Sequence, residues 1–550
     1  MIIIPAQSGT YRHLQRRVTD LIAESGHSDV SSSSAMTKYT EVMTLQSDKY
    51  AAAQSIADTD ALRSAAITSA APNSASQPLT GPQEQYVGLL AGQLRDQAPE
   101  FRRRTGGQPR RLAESRAWAN FRPALKDLIV PITIERASGA EAWDTSGNSY
   151  TDFCMGFGVH LFGHNPEFVT EAVTRQLRRT YSTGSQLAQT YELADQFCRI
   201  TGHDRVTFCC TGSEAVMGAL RLARLATGRR KIAYFQKSYH GLVDSVLAQA
   251  GDVPGRPVAA APGLSAGAVA EAIVLPYGDD SALDYLRSAS GEIAAVLVEP
   301  VQNRNPSVQP AQFLARLRAL TAERGIVLIF DEMITGFRIG LRGAQGYFGI
   351  TPDLATYGKI LGGGMPIAAI AGRAALLDGM DGGSWNYGDD SAPTAVTTQF
   401  GGTFQKHPLA MSAGIAVLNY LEDRGEDFYS ALNSRAEYTV NALSAILSQE
   451  GLPYSVASFG SLWRFEYEGV KDPAQPLQFD MLYHSLVAEG IYVWKGRSFF
   501  LSAAHDDGHV QRLLDALTRV IGRLRVAEFL PPRIRNAAPQ GTSRSVAGRP

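Results

Sequence analysis

Four short apolar runs place the strongest constraint on how this chain can fold: residues 205–210, Lys231–Phe235, 294–298 and 326–330. Each closes on small or polar residues: Thr211-Gly212-Ser213-Glu214, Ser238-Tyr239-His240-Gly241, Glu299-Pro300 and Asp331-Glu332. Runs that are apolar throughout, rather than alternating, belong to strands buried on both faces. Strands of this kind interleaved with helical stretches call for an α/β class with a mainly parallel sheet, and for one ligand along its carboxyl edge.

Two of these strand ends carry chemistry. After Glu214, the residues Ala215, Val216, Ala219, Leu220 and Ala223 recur at helical spacing, and Gly228 is a stop signal. Strand, small polar loop, helix is an arrangement that binds phosphate, because first-turn amides are unpaired and the helix dipole favours an anion. Taken alone, Ser213 reads equally well as a helix N-cap with Glu214 in the first turn. Farther on, the run 326–330 ends in Asp331 and Glu332, and Lys359 stands just before Leu361-Gly362-Gly363-Gly364, where the backbone can approach a bound group closely. A buried acid and a lysine in a tight loop suit a pyridoxal phosphate Schiff base on Lys359, with Asp331 facing the pyridine nitrogen. Singly, Asp331 also reads as a structural acid and Lys359 as a surface lysine. A nucleotide P-loop does not fit: Asp353 lies five before Gly358, and Ile360 follows Lys359.

The remaining chain divides by composition. Residues 1–80 are rich in Ser, Ala and Thr and read as a flexible leader; 81–125 read as a helical, then basic, connector with Arg102, Arg103, Arg104, Arg110 and Arg111. Those arginines suit a solvated face or a docking patch for an acidic carrier protein. Residues 126–174 open a small domain, 175–408 form the large domain, 409–530 complete the small one, and 531–550 read as a disordered tail. Within the first of these, 143–150 read as strand, turn, strand. The glycine-rich yet apolar stretch 154–164 suits a pocket wall, with Met155, Phe157, Gly158 and His160 as candidate substrate contacts. His160 and His164 lack a third ligand at metal spacing, so no metal site is expected. A net charge of −1 gives no reason to expect nucleic acid or a membrane surface as partner. The opening apolar residues are too few for a signal-peptide core, and the four cysteines, Cys154, Cys198, Cys209 and Cys210, read as buried reduced thiols. A cytoplasmic protein is expected.

With these motifs in order, the sequence resembles the class III, fold type I pyridoxal phosphate aminotransferases, in the branch that contains glutamate-1-semialdehyde aminomutase. The likeness is carried by Thr211 to Ala215, Ser238 to Gly241, Val298 to Val301, Phe330 to Arg338, Tyr357 to Gly364, and Gly402-Thr403. A closer likeness is to aminotransferase domains of polyketide and nonribosomal peptide assembly lines. It lies in Met155 to Gly158, Leu161 to His164, Glu299 to Gln302 and Val493 to Arg497, with a departure at Lys495, where an acid is expected. The resemblance implies that Lys359 binds the cofactor and shuttles a proton, and that Asp331 holds the ring nitrogen. It implies that Thr211, Gly212 and Ser213 hold the phosphate, that Tyr239 stacks on the ring beside His240, and that Met333 packs on its other side. Glu299, with Gln302 or Asn303, is implied near the ring hydroxyl. Thr403 is implied to reach the phosphate of a neighbouring subunit in a homodimer. Amino transfer from an amino acid to a β-keto acyl chain on a carrier protein is the implied activity; an intramolecular aminomutase is the alternative.

Overall fold

Seven strands build the central sheet: β1 (Arg205–Cys209), β2 (Lys231–Phe235), β3 (Ala272–Leu275), β4 (Ile293–Val298), β5 (Val327–Asp331), β6 (Leu354–Tyr357) and β7 (Ala368–Gly372). Their order is β1-β7-β6-β5-β4-β2-β3. The computed structural model describes residues 78–99, 111–113, 121–252, 256–467 and 477–533. The leader up to residue 77, the arginines Arg102, Arg103, Arg104 and Arg110, and the tail beyond 533 lie outside the described residues.

Both faces of the sheet are covered, as the unbroken apolar runs require. Every residue of β4 is fully buried. Side chains alternate between two cores: Leu328 and Phe330 join one cluster, Val327 and Ile329 the other. All neighbouring pairs are parallel except those of β7, which runs antiparallel to both β6 and β1. The cause is the length of chain between β6 and β7. Residues 358–367 are too few for the crossover that two parallel neighbours need, so the chain doubles back. The carboxyl ends of β1, β2, β5 and β6 therefore share one edge of the sheet.

A second layer joins both ends of the matter described. The meander Ile134–Ser138, Glu141–Asp144 and Ser149–Asp152 pairs through its last strand with Ile491–Tyr492. Beside it lie the strands Tyr454–Phe459, Leu462–Tyr467 and Phe499–Phe500. The long segment Pro408–Gln449, which breaks helical geometry at Gly425, leads from one layer to the other. The helix Gly81–Gln97 is more than a connector. It buries Val87, Leu90, Ala91 and Leu94, and the Gln93 side chain donates to the Ala488 carbonyl at 3.0 Å. Among the described residues no helix is long and apolar enough to cross a membrane.

Candidate active site

The edge shared by those strand ends holds a cavity of about 370 Å³, a size typical of small-molecule sites. Its wall includes Thr211, Gly212, Ser213, Tyr239, His240, Asp331, Met333 and Lys359, which the sequence singles out. It also includes Val159, Cys210, Gly241 and the run Gly364, Met365, Pro366, Ile367. Cys154 and Cys209 are buried, but Cys198 and Cys210 are only partly so, which corrects the expectation of four buried thiols; none of the four is in a disulfide among the described residues.

Asp331 closes β5. Its Oδ2 lies 2.7 Å from Nδ1 of His240, and its Oδ1 accepts from Thr356 Oγ1 at 3.1 Å and from the Met333 amide at 3.2 Å. Three partners fix the carboxylate, and His240 is wholly enclosed, its Nε2 without a protein partner among the described residues. Glu332 takes no part in this. Adjacent strand residues point to opposite faces, so it turns away from the cavity. There it accepts from the amides of Ala344 and Gln345 at 3.0 and 2.7 Å and from the Thr335 hydroxyl, and burial pushes its carboxyl up to about 7.

Lys359 opens the loop after β6 with φ of 44°, a left-handed backbone unusual for a side-chain-bearing residue and of the kind found at functional sites. Its amine is held below the ordinary lysine pKa chiefly by burial and further by the Arg338 charge, while Asp331 and Glu299 act in the opposite sense. A larger share of the free-base, nucleophilic form at neutral pH follows.

The helix Gly212–Thr227 begins at the cavity. Its N-cap is Thr211, not Ser213: the Thr211 hydroxyl accepts from the Glu214 amide at 3.2 Å, and Glu214 accepts in return from the Thr211 amide at 2.8 Å. Ser213 is thereby free to line the cavity, its Oγ accepting from the Leu242 amide at 3.1 Å. The Gly212 and Ser213 amides have no protein partner among the described residues, which leaves two donors at the positive end of the helix. The spacing is tight. A Cβ on Gly241, which has φ of +90°, would stand 2.5 Å from Ser213 Oγ, and one on Gly212 would stand 2.9 Å from the Met333 sulfur.

Other expected residues sit outside the wall. Glu299 accepts from the Tyr239 amide at 3.0 Å and from the Asn303 amide at 3.4 Å, so it anchors the loop that carries Tyr239. Gln302 donates to the Gln236 carbonyl at 2.8 Å. Met155 is buried with Leu462 and Phe500. Phe157 meets the Trp494 ring edge-on, and the His160 ring lies tilted against that of His164, centroids 4.5 Å apart, while His164 reaches Asp152 at 2.8 Å. The stretch Met155–Gly158 is a left-handed turn: Met155, Gly156, Phe157 and Gly158 all have positive φ. It is clamped by Arg338, which donates to the Gly158 carbonyl and to Ser461 Oγ. Arg338 is buried with no carboxylate paired to it among the described residues, and burial lowers its pKa to about 9. The sequence carried it in a motif but gave no sign of this clamp. Lys495 faces Asp480 at 3.4 Å, an acid also paired with Arg122. Thr403 is exposed and does not line this chain's cavity.

Residues 124–520 match the family model "Aminotransferase class-III". A glutamate-1-semialdehyde 2,1-aminomutase from Caldivirga maquilingensis is 36% identical over 421 residues, which cover 73% of this chain and 93% of that protein. Among solved structures, an omega-transaminase from Sphaerobacter thermophilus superposes with a TM-score of 0.68 at 28% identity, over 78% of this chain and 98% of that one. A glutamate-1-semialdehyde aminomutase from Pseudomonas aeruginosa, crystallised with PMP, superposes with a TM-score of 0.69 at 25% identity, over 80% and 98% of the two chains. The expected fold type I architecture is therefore present.

Proposed function

This chain belongs to the class-III aminotransferase family, and from that premise we propose that it transfers an amino group from an amino acid to a ketone or aldehyde, with pyridoxal phosphate as cofactor. The observation that carries this reading is the meeting, in one cavity, of a buried lysine amine, an acid fixed by a buried histidine, and a helix start with two unpartnered amides.

The residues present fit that cofactor. Its phosphate suits the Gly212 and Ser213 amides, with the Ser213 hydroxyl as a third donor. Asp331 suits the ring nitrogen, and Tyr239 and Met333 suit the two ring faces. When bound, the cofactor supplies an electron sink for the carbanion formed at the substrate carbon. The chain's own work is then threefold. Asp331, held by His240 and Thr356, stabilises positive charge on the nitrogen opposite it. The Lys359 amine takes a proton from the substrate carbon and returns it one position away, which its depressed pKa favours. The glycine-lined walls keep both groups in register with the ring.

For the acceptor, the likeness of the segments around Met155 to Gly158 and Glu299 to Gln302 to assembly-line domains supports a β-keto acyl thioester on a carrier protein. A homodimer with Thr403 crossing between subunits is part of this reading. It is supported by Trp385, Tyr387, Val396 and Phe404, large apolar residues that this chain leaves exposed in the segment leading to and just past Thr403. Incubation with an amino donor and a β-keto acyl carrier protein should yield an amine of corresponding mass; product from free keto acids alone would defeat the tethered acceptor. The 36% identity to an aminomutase favours a second reading, amine movement within one molecule. Isotopic nitrogen in an external donor separates the two, because an aminomutase would keep the substrate's own nitrogen.

A further inference from the structure

The stretch Met155–Gly158 is held in a conformation that its side chains disfavour. Met155 and Phe157 have φ of 45° and 58°, in the left-handed region where a side chain is strained, with Gly156 and Gly158 at 59° and 91°. Both ends of this turn are pinned. At its start Asp152 Oδ1 accepts from the amides of Cys154 and Met155 at 2.7 and 2.9 Å. At its end the Arg338 guanidinium donates to the Gly158 carbonyl. The fit there is close: a Cβ on Gly158 would stand 2.7 Å from the Phe500 ring and 3.0 Å from Arg338 Nη2.

Arg338 joins the two layers. It ends the loop that starts at Asp331 and carries Met333, and its Nε donates to the Ile334 carbonyl of that loop at 3.0 Å. Its Nη1 donates at 3.0 Å to Ser461 Oγ, in the turn between the strands Tyr454–Phe459 and Leu462–Tyr467. The guanidinium carbon lies 5.0 Å from the centroid of the Phe500 ring. One planar fork thus reaches three acceptors in fixed directions, which the point charge of a lysine does not reproduce. Burying a guanidinium with no carboxylate paired to it among the described residues is costly, and an apolar side chain would be the more stable occupant. The residues after the turn explain its place. Val159 lines the cavity, and His160 lies against Gly364, also in the wall: a Cβ on Gly364 would be 3.6 Å from His160 Cε1. Beyond Gly364 the wall continues with Met365, Pro366 and Ile367, so the surface that Val159 joins is apolar.

We propose that Arg338 is a positioning residue for the substrate: by pinning the left-handed turn it fixes where Val159 stands, and with it the apolar wall that receives the hydrocarbon chain beside the reacting carbon. The inference rests on the amino-transfer reading for the reaction, though the clamp itself does not. Asp331 and the helix start at Gly212 are held by other contacts, so loss of the clamp reaches the substrate and spares the cofactor.

Three measurements on the purified protein test it. In hydrogen exchange of the apoenzyme, the Phe157 and His160 amides report opening of the turn, because they donate to the Cys154 and Met155 carbonyls at 2.9 and 3.1 Å. Arg338→Lys keeps the charge but loses the fork. It should speed exchange over residues 154–162 by about ten- to a hundredfold, the range for one bond to a charged group, and leave β4 unchanged. The Kd of pyridoxal phosphate should stay as in wild type. In spectral titration of the holoenzyme, the half-saturating concentration of 3-aminooctanoate should rise about tenfold or more, as a wall displaced by roughly 1 Å would cause. That of 3-aminobutanoate, whose short chain offers the wall little contact, should change less. Ser461→Ala, which leaves the Gly158 bond in place, should give the same changes at smaller size and serves if the Arg338→Lys protein does not fold. Unchanged exchange in the turn, equal acceleration in β4, a cofactor Kd that worsens in step with the amine, or equal losses for long and short amines would overturn the assignment. Failure of amino transfer itself would appear separately, as a cofactor spectrum that no amine alters in wild type, with exchange and cofactor Kd still deciding the clamp.

Discussion

Replacing His240 by Phe isolates the least expected contact of the site. The imidazole is enclosed, lies 2.7 Å from the Asp331 carboxylate, and stands edge-on to Tyr234 with ring centroids 6.1 Å apart. Phe keeps the ring volume and the contact with Tyr234 but leaves one carboxylate oxygen without its donor. A hydrogen bond to a charged group contributes about 1.5–3 kcal/mol, or roughly ten- to 150-fold in an equilibrium constant. Asp331 keeps its bonds from Thr356 and Met333, so the acid stays in place and the loss should fall at the lower end. The measurement is the Kd of pyridoxal phosphate for the apoenzyme, followed by absorbance, with Asp331→Asn alongside. His240→Phe should weaken binding about tenfold, Asp331→Asn more, and the melting temperature of the apoenzyme should change little. An H240F variant with unchanged Kd and unchanged turnover would refute the argument that the histidine tunes the acid.

Further outcomes follow from the same geometry. Lys359→Ala should abolish the characteristic absorbance of the bound cofactor and all turnover; a spectrum like wild type would remove the mechanism. Because the Lys359 pKa is lowered on folding, the unfolded chain binds the extra proton between that depressed value and the ordinary 10.5, so apoenzyme stability contributed by this group rises with pH across that window. Lys359→Met should flatten that rise in a series of denaturation curves. Glu332 has the opposite sense: its carboxyl, raised from 4.5 to about 7, draws protons to the folded state, so its contribution falls as pH climbs through that interval, and Glu332→Gln should remove the slope. Gly241→Ala should displace Ser213 and strain a backbone with φ of +90°, at a cost of about 1–3 kcal/mol, with weaker binding of the cofactor phosphate. Wild-type phosphate affinity in that variant would show that the loop has room to spare.

Much of the frame was legible in the chain itself. Unbroken apolar runs announced strands with two covered faces, and the observed β2 and β4 match them to within a residue. Helical spacing after Ser213, with Gly228 in the left-handed conformation at the stop, was local information of the same kind. Periodicity and turn chemistry depend on neighbours a few residues away, so one sequence suffices to read them. The strands β3, β6 and β7 went unread because they are only four or five residues long, too short to show a period, and β7 is mostly alanine, which does not distinguish a strand from a helix.

What tertiary structure alone decided is which groups meet. Asp331 and Glu332 look interchangeable in the sequence, yet the pleat sends one to the cavity and the other to the start of the helix Gly343–Phe348. His240 finds Asp331 across 91 positions of chain, and Arg338 reaches back 180 positions to clamp Gly158. Such pairings follow from strand order and layer contact, which no local pattern encodes, because the energy that selects them is gained only once the whole core closes.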